Sequence, residues 1–212
     1  MIAIVDYGVG NIFSVKRALN YIGEDGILTG DPEYLRRADK IILPGVGAFG
    51  DAADKLAASG MKEAVLEQAK AGKPLLGICL GMQLLFTESL EYGRHAGLDL
   101  IPGRVVDMSG IIVDKSLKIP QIGWNGLDFP EGRKGTDRHP LLKYTDEGDC
   151  VYFVHSFCAV DCDESVIATC DYSAPITAAV ACENVMGTQF HPEKSGNVGM
   201  GILKAFCEID IA

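Results

Sequence analysis

Apolar runs of strand length alternate with amphipathic stretches through the first half of the chain. Ile2–Asp6, Lys40–Leu43 and Pro74–Cys79 are the apolar runs, and the last carries no charge at all. An uncharged run of that kind suits a central parallel strand covered on both faces. Between them, a helical period predicts helices over Ile12–Ile22, with Asn11 placed to cap it, over Ala52–Ala58 and over Met61–Ala71. Leu80–Phe86 reads as the start of another. Strand–helix alternation implies right-handed βαβ units and a mostly parallel sheet. The second half changes to short β-like runs between turn residues: Arg104–Asp107, Gly126–Phe129, Cys150–Phe153, Phe157–Val160, Val166–Cys170, Ala178–Glu183 and Met186–Phe190. These predict antiparallel additions to the parallel sheet, and Val198–Ile209 predicts a closing helix. No linker-like composition and no repeat divides the chain, so residues 1–212 read as one α/β domain.

Composition narrows the classes. With 48% hydrophobic residues, the chain can bury a large core, and its formal charge of -10 opposes nucleic acid and anionic membranes. No stretch has the apolar length of a transmembrane helix. Met1–Asp6 lacks a basic leader and reads directly as a strand, so a cytoplasmic location is expected. The seven cysteines form no Cys-x-x-Cys pair, which argues against a metal site and for free thiols, most of them core residues.

One cysteine differs by its setting. In parallel sheets the chemistry collects at the carboxyl ends of strands. Three such ends run into glycine-rich turns here: Gly8-Val9-Gly10, Gly45-Val46-Gly47 and Gly77 to Gly81. Cys79 sits inside the third. Its Gly-x-Cys-x-Gly spacing meets the steric demand of a sharp strand-to-helix turn, which strains the apex residue and turns its side chain toward solvent. A thiol at that apex points to acyl transfer, which needs a base. Of the four histidines, His95 and His139 lie in polar stretches and are expected to be solvated, and His155 reads as a hydrogen-bonded strand residue. His191 follows the apolar run 185–190 and precedes Pro192-Glu193. Proline stops the strand, so the turn is expected at the sheet edge. Alternation there puts His191 and Glu193 on one side, the carboxylate on one ring nitrogen and the other nitrogen toward the thiol. Gly45 to Gly50 also fits the dinucleotide spacing Gly-x-Gly-x-x-Gly, but the next strand ends in Cys79 rather than the acidic residue a ribose requires. Nucleotide binding is therefore not expected.

Gly77-Ile78-Cys79-Leu80-Gly81-Met82-Gln83 with His191-Pro192-Glu193 resembles the triad-type (class I) glutamine amidotransferases, and the resemblance runs the length of the chain. Four further features resemble one branch, the glutaminase subunits of imidazole glycerol phosphate synthase. They are Asp6 to Asn11, Pro44 to Phe49, Gly123-Trp124-Asn125 and Lys194. The resemblance implies a single-domain flavodoxin-like fold with no cofactor. It implies that Cys79 attacks the side-chain amide of L-glutamine, that His191 moves the proton and that Glu193 orients His191. Backbone N–H groups of Leu80 and the Val46-Gly47 turn would hold the oxyanion, and Gln83, Ser156 and Phe157 would contact the substrate. The implied partner is a cyclase barrel subunit in a heterodimer, with Lys194 near the docking face. Isolated from that partner, the chain is expected to release little ammonia. Gln121-Ile122 and Phe157 depart from the pattern, since some relatives carry histidine and tyrosine there. Three rival readings stand beside this one: the glutaminase of pyridoxal phosphate synthesis, a non-catalytic module in which Asp6 and the glycine turns cradle an anion, and a cysteine hydrolase with another substrate.

Overall fold

The computed structural model describes residues 1–132 and 135–209. With elements numbered in chain order, a seven-stranded sheet forms its centre. The strands lie side by side as β11 (Val166–Asp171), β12 (Pro175–Cys182), β13 (Val185–Thr188), β4 (Leu75–Cys79), β3 (Lys40–Gly45), β1 (Ile2–Val5) and β2 (Gly26–Thr29). From β13 to β2 all pairings are parallel, while β11 and β12 extend the sheet in antiparallel fashion. The expected mixture of a parallel centre and antiparallel additions is what forms.

Strand alternation divides the core into two layers. Ile4, Ile42, Leu76 and Ile78 face one side, packed with α1 (Ile12–Tyr21) and α6 (Gly196–Cys207) through Leu19, Leu203 and Phe206. Val5, Ile41, Leu43 and Leu75 face the other, against α3 (Phe49–Ala58), α4 (Met61–Lys70) and α5 (Leu80–Leu84). A four-stranded sheet of β10 (Phe157–Val160), β7 (Ile101–Asp107), β5 (Phe86–Ser89) and β6 (His95–Ala96) packs into that second layer. The ribbon β8 (Gln121–Gly126) with β9 (Cys150–His155) joins the first. Among the described residues no helix is long and apolar enough to cross a membrane.

Several expectations shift. Between α1 and β3 the chain adds β2 and a short α2 (Pro32–Arg37), whose Asp31 cap accepts from the Glu33 amide at 2.9 Å. Asn11 precedes α1 but makes no side-chain capping bond. The helix after Cys79 ends at Leu84, and Phe86 already belongs to a strand. The strand expected over Gly126–Phe129 instead occupies Gln121–Gly126, leaving Asp128 a single bridge to Thr169. Finally, β13 is not an edge strand, because β12 and β11 cover its outer side.

Candidate active site

Parallel register gathers the candidate residues. β3, β4 and β13 are neighbours running the same way, so their carboxyl ends open together at one rim of the sheet. Gly45 pairs with Cys79 and Thr188 with Ile78. The glycine turn leaving β3, the thiol ending β4 and the segment after β13 therefore meet, although 112 positions separate Cys79 from His191 (191 − 79). Three extended strands in register make a site that no local sequence window contains.

The turn at Cys79 is strained as its spacing implied. Cys79 has φ 55° and ψ -113°, in the positive-φ region that a non-glycine residue rarely enters. A β-carbon at Gly77 would lie 2.7 Å from the Gly81 carbonyl, and one at Gly81 only 1.8 Å from the Leu43 carbonyl oxygen. Both glycines are thus needed for α5 to start directly against β3 and β4. The thiol is 7% exposed and faces a cleft rather than open solvent.

His191 is held from both ends. Its Nδ1 lies 2.8 Å from Glu193 Oε1, and the two side chains are almost wholly buried. Its backbone N–H donates to the Tyr152 carbonyl, and its carbonyl accepts from Ser195 Oγ at 2.6 Å. With Nδ1 engaged, Nε2 is the nitrogen left for the sulfur. Burial acts to lower the pKa of the ring, but hydrogen bonding and charge from Cys79 and Glu193 outweigh it and raise it to about 9. The imidazolium is the form these partners favour. Because the folded value exceeds the ordinary 6.5, His191 contributes stability that is full below about pH 6.5 and fades as pH rises through about 9. In a Cys79→Ala protein, the ring loses one of its two favourable partners while its burial remains. Imidazole NMR should then show His191 titrating at clearly lower pH than in the wild type, and an unchanged titration would contradict this account.

A cleft of about 330 Å³ surrounds the pair, lined by Val46, Gly47, Leu80, Gln83, Ser156 and Phe157 among others. All candidate oxyanion and substrate residues therefore border one space with Cys79 and His191. Lys194 lies outside it, exposed, with Nζ 5.8 Å from the centre of the Tyr152 ring. Among the described residues no group of three or more potential metal ligands occurs.

Residues 3–209 match the family described as Glutamine amidotransferase class-I. The chain belongs to the class I glutamine amidotransferases. This amidotransferase is 49% identical over 209 residues to a Syntrophotalea carbinolica protein named imidazole glycerol phosphate synthase subunit HisH, covering 97% of this chain and 98% of that one. A protein of the same name from Wolinella succinogenes is 50% identical over 99% of this chain and 100% of its own. Among solved structures, one described as a glutamine amidotransferase superposes with a TM-score of 0.72 at 17% identity, covering 98% of this chain and all of the other. The PurLQS structure from Thermotoga maritima gives 0.72 at 20% identity, over 97% and 96% of the two chains. These two establish the amidotransferase fold.

The other three histidines and the buried cysteines have different settings. His95 and His139 are half-buried rather than solvated: His95 packs 6.4 Å from Phe49, and His139 Nδ1 accepts from the Leu141 amide at 3.2 Å. His155 borders the cleft, bonded through Nδ1 to the Phe157 carbonyl at 2.8 Å, and burial foremost drives its pKa to about 4. Cys158, Cys162 and Cys170 are buried thiols pushed up to about 12, 11 and 12 by burial. A larger groove of about 680 Å³ passes Cys162 among Asp161, Asp163 and Glu164, with His139 also on its wall.

Sequence reasoning passed over three residues here. Tyr7 is buried, donates to the Pro44 carbonyl at 3.0 Å, and has its hydroxyl pKa raised by burial and by charge at Cys79. Glu91 caps the start of α3 by accepting from the Phe49 amide at 2.7 Å and borders the cleft. Gln189 contacts the sulfur itself. Only the last carried a visible sign, a carboxamide interrupting an apolar run just before His191.

Proposed function

We propose that this chain is the glutaminase subunit of an imidazole glycerol phosphate synthase, releasing ammonia from L-glutamine for a cyclase partner. The observation that carries the reading is one buried histidine coupled to both a carboxylate and a thiol at the apex of a strained turn. Near-half identity over the full length of proteins bearing the HisH name supports the assignment to this synthase.

The reaction follows from the groups present. The Cys79 sulfur attacks the side-chain amide carbon, a C–S bond forms, and the carbonyl π pair moves onto oxygen. Backbone N–H groups of Leu80 and the Val46-Gly47 turn hold that oxyanion. The proton on His191 passes to nitrogen, the C–N bond breaks, and ammonia leaves a thioester. Water then attacks the same carbon, giving a proton to His191, and the C–S bond breaks to free glutamate and regenerate the sulfur anion. Glu193 holds the ring through both halves. Gln83, Ser156 and Phe157 bind the amino-acid end of the substrate.

Ammonia in neutral water is mostly protonated and no longer a nucleophile, so its delivery requires a shielded passage to the partner. Lys194, the Tyr152 ring beneath it and the exposed Trp124, whose ring lies 6.0 Å from Tyr152, form the docking face for the cyclase barrel subunit. The test is glutamate release with and without that subunit. Its addition should raise the rate roughly a hundredfold, the worth of completing one oxyanion donor. Full turnover by the isolated chain, or stimulation by a pyridoxal phosphate synthase subunit instead, would overturn the assignment.

A further inference from the structure

A chain of carboxamides leads from the wall of the cleft to the sulfur, and its direction is fixed at the far end. The Phe157 carbonyl oxygen can only accept. The atom of Gln83 that faces it at 3.1 Å is therefore nitrogen, and His155 must donate to it through Nδ1–H at 2.8 Å. The second hydrogen of the Gln83 amide points to Gln189, so the atom it meets at 2.9 Å is Gln189 Oε1. Gln189 then presents its own NH2 to Cys79 Sγ, 3.8 Å away. The Gln189 side chain is fully buried, so no water competes for that N–H. The orientation of each amide is decided by its neighbour rather than chosen freely.

We propose that Gln189 is a further catalytic residue, whose side-chain N–H donates to the Cys79 sulfur and stabilises negative charge there. This rests on the reading of Cys79 as the nucleophile. The donor differs from the oxyanion groups, which act on the substrate oxygen. It acts twice in the cycle. Before attack it holds the sulfur anion in place at the apex of the turn. When the thioester breaks, the C–S electron pair returns to sulfur, and the Gln189 N–H meets the charge as it forms. Gln83 serves as a positioning residue in this step, because it locks the Gln189 amide in the donating orientation.

The experiment begins with wild-type protein in its complex, where alkylation by a glutamine-analogue affinity label must map to Cys79. Failure there removes the nucleophile reading itself and is distinguishable from failure of the present one. Gln189→Met then removes the donor at similar volume, and Gln189→Glu keeps the acceptor facing Gln83 while losing the N–H. Hydrogen bonds to charged groups are worth about tenfold in an equilibrium or rate. Iodoacetamide alkylation of Cys79 at neutral pH should slow about tenfold in both variants and recover as pH rises in Gln189→Met. The kcat for glutamate release should fall at least as far, with KM changed less than about threefold. If methionine prevents folding, Gln189→Glu decides alone. Wild-type alkylation with wild-type kcat overturns the proposal. So does a loss of kcat with an unmoved alkylation profile, which is what a merely structural role would give.

Discussion

Cys79→Ala is expected to abolish glutamate release, by roughly 10⁴-fold or more, while the protein keeps its fold. The loss is chemical: no other thiol borders the cleft among the described residues, and the buried thiols Cys158, Cys162 and Cys170 are pushed by burial far above neutral pH. None can act as the anion that attacks an amide. The fold survives for a geometric reason. Alanine keeps the β-carbon that the turn already accommodates at φ 55°, and the sulfur it loses borders the cleft. The cost is the unpaired Gln189 N–H, about 1–3 kcal/mol, which a cooperative domain of this size tolerates. Assay of the complex separates the two effects. Glutamine-driven synthesis should vanish, whereas synthesis supplied with ammonium salts should persist, because the proposed cyclase partner consumes ammonia whatever its source. Retention of even a few per cent of glutamine-driven activity would show that the nucleophile lies elsewhere.

The reason so much of this site was readable lies in how few residues each part requires. The turn at Cys79 demands glycine on both sides for a steric reason that any sequence displays, and the contacts at Gly77 and Gly81 are that reason made explicit. His191 and Glu193 are two residues apart, so one short turn brings both to their 2.8 Å contact. What sequence could not place was the neighbourhood of that turn. An apolar strand ending in a proline reads as a sheet edge, but β11 and β12 turn back to cover β13, a matter of topology rather than local pattern. The same limit hid Gln189, whose meaning depends on an amide 106 positions away. Other misses were local. Leu84-Leu85-Phe86 continues an apolar run, which disguised the change from α5 to β5, and the four-residue β2 offered too few positions to show a period. The signal for α2 was present in Asp31-Pro32, an acidic cap followed by proline at the first helical position.

Gly81→Ala should be among the most damaging single-methyl substitutions in the described residues. The added carbon would stand 1.8 Å from the Leu43 carbonyl oxygen and 2.8 Å from its carbon, so the obstacle is strand backbone and cannot rotate away. Leu43 pairs with Gly77 in the ladder joining β3 to β4, at the centre of the sheet. Either that ladder parts or α5 lifts off it, and we expect a loss of about 3 kcal/mol or more, beyond the usual cost of overpacking because a rigid element must move. Lifting α5 also displaces Cys79 from His191 and Leu80 from the cleft, so kcat should fall in the fraction of molecules that does fold. Gly110→Ala is the matching control: it is exposed, adopts no positive φ and has nothing within 4 Å of a new β-carbon. Its unfolding free energy from urea titration should stay within about 0.5 kcal/mol of wild type, with unchanged activity. Equal stability of the two variants would mean that the turn is not sterically closed, and the strain at Cys79 would then need a different cause. A stability loss confined to Gly81→Ala, accompanied by lost alkylation of Cys79 in the folded fraction, ties the packing of one glycine to the placement of the nucleophile.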